Sequence, residues 1–228
     1  MADAPLSTPV RIWDGPTRVV HWLLVALLLF SWWSADDYLT WHRWSGYAII
    51  GLLVFRLYWG FAGGEASRFA HFVKGPGAVL AYARTLGRRE PSTTVGHNPL
   101  GALSVLAILA SVLAQVGTGL FVVDIDGFEG GPLSFMVSFE TGRRMADIHE
   151  LSFRVLQALV ALHLAAIAFY AVWKRTNLVG GMVTGRRTLP GDPGLARAPL
   201  FRAPLWRLVV GIALAATATW AVSKGFWL

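Results

Sequence analysis

The chain has 228 residues, of which 55% are hydrophobic and only 14% charged, with a formal charge of +7. Soluble domains of this length carry about 25% charged residues, so a soluble helical protein with a large core is disfavoured and a lipid-facing surface is expected. The absence of cysteine excludes disulfides, iron–sulfur clusters, Cys-ligated zinc and covalently attached c-type haem.

A helical membrane span needs roughly 20 mostly apolar residues, and five segments qualify in chain order. The first is 17–35, which opens on His21 and closes on Ser31-Trp32-Trp33. Asp3 and Asp14 spoil a basic leader, so it reads as a retained span rather than a cleaved signal. The second is 42–62, with one charge, Arg56. Residues 64–97 mix Gly, Pro and Arg around a short amphipathic stretch, 78–86, suited to the membrane surface. The third span, 99–123, is uncharged and opens with Asn98 as cap and Pro99 in the first turn. Gly127, Gly130, Gly131 and Pro132 make the next connection a loop. The fourth span is 147–173, with Arg154 inside it. Residues 185–204 hold Pro190, Pro193, Pro199 and Pro204 and read as an extended linker. The fifth span is 204–222, where the early Arg207 leaves only Leu208 to Val222 uncharged. Trp residues at the ends of these runs suit the interface, where an indole keeps one end wet.

The connections sort by charge. Fourteen Lys and Arg lie at the N-terminus and in the second-to-third and fourth-to-fifth connections. Four lie on the other side, Arg43, Arg143, Arg144 and Lys224, among Asp36, Asp37, Asp124, Asp126, Glu129 and Glu140. The positive-inside rule then puts the N-terminus in the cytoplasm and the C-terminus outside. Basic residues distributed this way speak for topology and against a nucleic-acid partner.

Of six histidines, His21, His42, His149 and His163 fall in or at the ends of spans. Ionisable groups in a membrane are costly and functional by default, and without cysteine histidine leads as an iron ligand. His149 and His163 are 14 residues apart, which on a helix is about 1400°, so both lie on nearly one face, about 21 Å apart along the axis. That spacing suits two stacked haems and not one metal. Charge-derived topology sets His42 and His149 near the outer surface and His21 and His163 deeper toward the cytoplasm. One ligand then comes from each of two helices at each depth. On the residues alone, a haem-free transporter using the histidines as a proton relay remains the main rival.

Haem propionates need cationic partners. Arg18 shares a helical face with His21, Arg43 adjoins His42, and Arg143 and Arg144 precede His149. Arg154, less than two turns beyond His149, is placed to reach an outer haem or substrate site. Arg56 is either a propionate or cofactor partner or a side chain snorkelling from the end of the second span. His97 is either a cap and turn residue or a hydrogen-bond partner of a propionate or quinone. His71 reads as a surface residue.

These stretches together resemble a known family. Arg11-Ile12-Trp13-Asp14, Arg18 to His21-Trp22, His42 with Gly46-Tyr47, Phe55-Arg56-Leu57 with Trp59-Gly60, Gly96-His97-Asn98-Pro99, His149-Glu150 with His163, and Asn177-Leu178 through Gly185-Arg186 are similar to bacterial cytochrome b561 proteins and the b-type cytochrome subunit of nickel–iron hydrogenases. The resemblance covers residues 10–187. It implies an all-α transmembrane four-helix haem-binding bundle, two non-covalent haems b on those four histidines, and electron exchange with quinone. Residues 188–228 depart from the four-span pattern and add a further C-terminal helix.

The expected organisation is a di-haem domain at 1–187, a proline-rich cytoplasmic linker at 188–203 and a transmembrane helix at 204–228. The expected function is electron transfer in the bacterial inner membrane between quinone and a redox partner, a c-type cytochrome or a hydrogenase-like enzyme. A self-contained superoxide:quinone oxidoreductase, steering its anion with Arg43, Arg144 or Arg154, is the alternative within the same chemistry. A haem-free transporter or assembly factor is the alternative outside it. Membrane lipid surrounds the chain, and a homo-oligomer is left open.

Overall fold

The computed structural model describes residues 8–189 and 203–224. Asp14 starts the first long helix, α1 (Gly15–Trp33): its carboxylate accepts from the Thr17 backbone N–H at 2.8 Å, the bond an N-cap makes. Next come α2 (Leu39–Ala62), the short helices α3 (Phe69–Phe72) and α4 (Pro76–Ala83), and α5 (Pro99–Gly119). Asn98 caps α5 as expected, accepting from Gly101 N–H at 2.8 Å. Then follow α6 (Phe139–Val172), α7 (Leu178–Thr184) and α8 (Leu205–Ser223).

Five helices, α1, α2, α5, α6 and α8, are long and apolar enough to cross a membrane. The chain is thus a helical multi-pass membrane protein. Large apolar side chains such as Leu29, Leu113, Leu151, Leu162, Leu164 and Ile212 point outward from these helices. A soluble monomer rarely leaves so much apolar surface uncovered, whereas lipid covers it at no cost.

α6 begins eight residues before the expected 147. Hydropathy stops at the charges of Glu140, Arg143, Arg144 and Asp147, but a helix need not end where the hydrocarbon does. Ser138 caps this added segment, its hydroxyl accepting from Thr141 N–H at 3.2 Å. A small ribbon was not expected either. β1 (Thr8–Arg11) pairs antiparallel with β2 (Arg186–Leu189), Val10 opposite Arg187. The extended stretch after Gly185 therefore begins as a strand, and Gly185 turns into it at φ 77°, a conformation that favours glycine. Residues 190–202, most of the expected linker, lie outside the described residues.

The described residues fall into two units. The first takes in β1 with the start of α1, the chain from Tyr58 to Val105, and the chain from Ala161 through the start of α8. It gathers the N-terminal ends of α1, α5 and α8 with the C-terminal ends of α2 and α6, so successive long helices run in opposite directions. Its buried centre is polar as well as apolar. Besides Thr17, Asp14 accepts from Trp59 Nε1 at 3.0 Å and Ser67 Oγ at 2.7 Å. The second unit contains Val20–Leu57, Leu106–Val160 and the chain from Val209 onward. Its core is Ile49 and Leu53 of α2, Val112 of α5 and Leu156 of α6, with Leu24, Leu27 and Leu28 of α1 packed against them.

α8 docks on α2. In the first unit Arg207 Nη1 donates to Ala62 O at 3.1 Å, satisfying a carbonyl at the end of α2. In the second, Thr219 Oγ1 donates to Tyr47 O at 3.2 Å. Gly51 permits this approach: a Cβ there would stand 2.3 Å from Thr219 Oγ1 and 3.3 Å from Ala215 O. Gly51→Val is expected to cost about 1–3 kcal/mol, the usual range for overpacking, read by detergent-to-SDS unfolding, and Thr219→Ala should recover part of it. Unchanged stability in Gly51→Val would mean that α8 does not pack there.

Candidate functional site

His42 sits in the first turns of α2 and His149 in the third turn of α6. Their ring centroids are 6.2 Å apart, with planes at 81°. Each ring is anchored through Nδ1 to a backbone carbonyl of another helix: His42 to Ser31 O at 2.8 Å and His149 to Gln115 O at 2.9 Å. A carbonyl only accepts, so the proton is on Nδ1 in both rings, and Nε2 carries the lone pair. That is the tautomer a metal-binding imidazole needs, with its second nitrogen held by an outer partner.

Helix ends supply these anchors. Ser31 lies in the last turn of α1, where carbonyls lack a helical donor, and the nearest candidate, Ala35 N–H, goes to Trp32 O instead. Gln115 lies about one turn before the end of α5. Its side chain is also engaged. The amide nitrogen donates to His149 Nε2 at 2.9 Å, and Ser152 Oγ donates to its Oε1. An iron at Nε2 would take the place of that amide. Gly119 makes room for the ring, since a Cβ there would lie 3.0 Å from His149 Cε1. Gly46, one turn beyond His42, faces open space, with nothing within 4 Å of the position a Cβ would take.

The donor set narrows the chemistry. Among the described residues no three His, Asp or Glu side chains gather as a metal-ion site. Two imidazoles are enough when a porphyrin supplies the equatorial nitrogens. Two rings bound to one iron from opposite sides would have centroids about 6 Å apart, allowing about 2 Å per metal–nitrogen bond and about 1 Å from nitrogen to ring centre. The observed spacing fits that group.

The other predicted residues are placed as follows. His21, half-buried on α1, belongs to the second unit and stands edge-on to Trp22, with centroids 5.0 Å apart. His163, half-buried on α6, belongs to the first unit. The described contacts therefore bring His42 and His149 together, while His21 and His163 are not assigned to one unit. Arg56 is only 6% exposed, so it does not snorkel. His97 is held between the rings of Trp13 and Phe72, at 4.5 and 4.6 Å between centroids. Arg18 Nη1 donates to Val183 O at 2.7 Å, tying α1 to the end of α7. Arg43 pairs with Glu129. Arg144 pairs with Glu140 at 2.5 Å, and Arg154 pairs with Glu150 with its side chain 71% exposed. Arg154 thus points outward from α6 and does not join the histidine pair.

Sequence reasoning missed Ser31, Gln115 and Ser152, and also Thr118, whose hydroxyl lies 3.3 Å from His149 Nδ1. Gln115 carried the one available signal, a single amide side chain within an uncharged span, where polar groups seek partners. Ser31 carried none, because it acts through its backbone.

Alternating apolar helices that present a paired, tautomer-fixed set of histidines define a helical membrane protein suited to holding a redox group. The model of the prokaryotic cytochrome b561 family matches residues 12–185. The chain belongs to that family and is a membrane b-type cytochrome of electron transfer. A probable Ni/Fe-hydrogenase B-type cytochrome subunit of Rhodobacter capsulatus is 20% identical over 221 residues, spanning 81% of this chain and 84% of that protein. No solved structure matches the chain significantly. The family takes the place of the transporter and assembly-factor alternatives.

Proposed function

We propose that the chain is a two-haem b-type cytochrome that moves electrons between a quinone and a redox enzyme at the membrane. His42 and His149 would hold one haem b, and His21 and His163 the other. The observation that carries this reading is the spacing of the His42 and His149 rings, 6.2 Å, with both Nδ1 atoms fixed on backbone carbonyls. When bound, haem supplies one-electron chemistry. This chain's residues orient the ligands, exclude water and hold the propionates. A haem held by two histidines would favour electron transfer over oxygen activation.

Arg56 and His97 are proposed as partners of a cofactor or quinone, and Arg18, Arg43 and Arg144 as partners of the propionates, while the outward-facing Arg154 is set aside from the outer haem or substrate role its position suggested. The acid pairs of Arg43, Arg144 and Arg154 reduce their pull on a free anion, which weakens the superoxide alternative. The charge asymmetry supports a cytoplasmic N-terminus and an outer C-terminus. Similarity to the probable hydrogenase cytochrome subunit of R. capsulatus supports a hydrogenase-like partner over a c-type cytochrome. The proposed organisation keeps a haem domain at 1–187 and a linker at 188–203, with α8 packed on α2 as an added span.

Purified protein should show a low-spin b-type reduced-minus-oxidised spectrum with two haems per chain, and quinol should reduce it. One haem per chain would overturn the pairing of His21 with His163. Two haems that quinol cannot reduce would leave the cofactor reading and remove the quinone.

A further inference from the structure

The first unit contains a cavity of about 330 Å³ with no part in the haem reading. Arg175, Arg186 and Arg187 line it, together with Ser92, Thr176 and Thr184. Two of the hydroxyls already donate to backbone: Thr176 Oγ1 to Lys174 O at 3.0 Å, and Thr184 Oγ1 to Gly180 O at 2.8 Å. The charged donors offered to a guest are the guanidinium groups. Among the described residues no carboxylate lines the cavity, and none of the three arginines has an acidic partner. Arg43, Arg144 and Arg154, by contrast, each have a glutamate.

Arg187 is held in place, while Arg175 and Arg186 are exposed. Arg187 Nη2 donates to Ser92 O at 3.1 Å and Thr94 O at 2.7 Å. Its Nε is buried with no hydrogen-bond partner among the described residues. Burial pulls the Arg187 guanidinium below its ordinary value, while Tyr82 and Tyr170 pull it back up. Arg175 has φ 49°, and among the described residues no other non-glycine lies in the left-handed region. Such a conformation is strained and persists where its surroundings impose it. Guanidinium groups without acidic partners that line one recess suit a tetrahedral oxyanion.

The surroundings point to the source of that anion. The cavity lies just past the end of the membrane-length helix α6, beside exposed Trp173 and the exposed apolar side chains Val179 and Val183 of α7. An aromatic and apolar rim around a basic recess suits the headgroup level of a bilayer, where basic pockets take anionic lipids. We propose that this cavity binds a phosphoryl group, through Arg175, Arg186 and Arg187, and that the bilayer supplies it as the headgroup of an anionic phospholipid.

The test uses the full chain purified in a neutral detergent. Thermal unfolding is followed on adding phosphatidylglycerol, phosphatidylcholine or inorganic phosphate, with chloride matched for ionic strength. Phosphatidylglycerol should raise the unfolding temperature and phosphatidylcholine should not. Arg175→Gln with Arg186→Gln should weaken the response about tenfold or more, as losing two charge-assisted contacts implies. Arg84→Gln, a basic residue outside the cavity, should leave it unchanged. A response to inorganic phosphate alone would support the phosphoryl site and reassign its source to solution. Equal responses to both lipids, no response to any phosphate, or the same loss in Arg84→Gln would overturn the proposal. Circular dichroism checks the fold of the double variant. If that variant misfolds, Arg186→Gln alone, at an exposed strand position, should weaken the response about threefold.

Discussion

His149→Ala is expected to remove one haem and leave the other, so that haem absorbance per chain falls by about half. His42→Ala should give the same residual spectrum, because the two rings face one another at 6.2 Å and neither can hold an iron from both sides alone. The two substitutions together should do no more than either one, whereas His149→Ala combined with His21→Ala should leave no haem. His163→Ala should match His21→Ala. The His149 ring is aimed by Gln115 O and accommodated by Gly119, so Gly119→Leu should displace it and reproduce the His149→Ala spectrum with every histidine intact. If His42→Ala and His149→Ala removed different haems, the pairing by depth would be wrong. If both haems survived either change, the pair would not be a ligand pair at all.

The sequence disclosed what depends on local pattern. Apolar runs marked five helices to within a few residues at most ends, because lipid demands an apolar helix of about that length whatever its neighbours are. The family was legible from short stretches such as Gly96-His97-Asn98-Pro99. What escaped was non-local or lay in the backbone. The pairing of Thr8–Arg11 with Arg186–Leu189 joins two ends of the chain, and neither segment alternates strongly enough to announce a strand. The anchor on His42 is a carbonyl at a helix end, which any residue at position 31 would offer. Arg154 looked buried because it interrupts an apolar run, yet a pairing with Glu150 four residues earlier lets it face outward. Arg56 interrupts a similar run with Leu52 instead of an acid four residues earlier, and it is buried. The docking of α8 was hidden in Gly51, whose missing side chain matters only once Thr219 stands against it.

Asp14→Ala is expected to have the largest effect on stability of any substitution outside the histidines. The carboxylate is 4% exposed and accepts from Thr17 N–H, Trp59 Nε1 and Ser67 Oγ. Those donors come from the start of α1, the end of α2 and the turn after it, so one side chain ties three pieces of the first unit together. Alanine removes the acceptor and leaves buried donors behind. Each such donor costs about 1–3 kcal/mol, and Ser67 can recover part by turning to Thr17 Oγ1, already 2.8 Å away. A net loss of about 3–5 kcal/mol follows. Asp14→Asn separates charge from shape. Its carbonyl can keep the cap on α1, but its amide turns a donor toward Trp59, so the expected loss is smaller, about 1–2 kcal/mol. Trp59→Phe removes one donor and keeps the aromatic packing, and it should cost less than Asp14→Ala. The order expected in detergent-to-SDS unfolding is Asp14→Ala worst, then Asp14→Asn, then Trp59→Phe. The turn carrying Ser67 leads directly into Phe72, whose ring packs on His97. Asp14→Ala should therefore also expose the 65–72 segment to proteolysis before the rest of the chain. Equal stability of Asp14→Ala and wild type would mean that the three donors find other partners, and the carboxylate would then be a cap on α1 and nothing more.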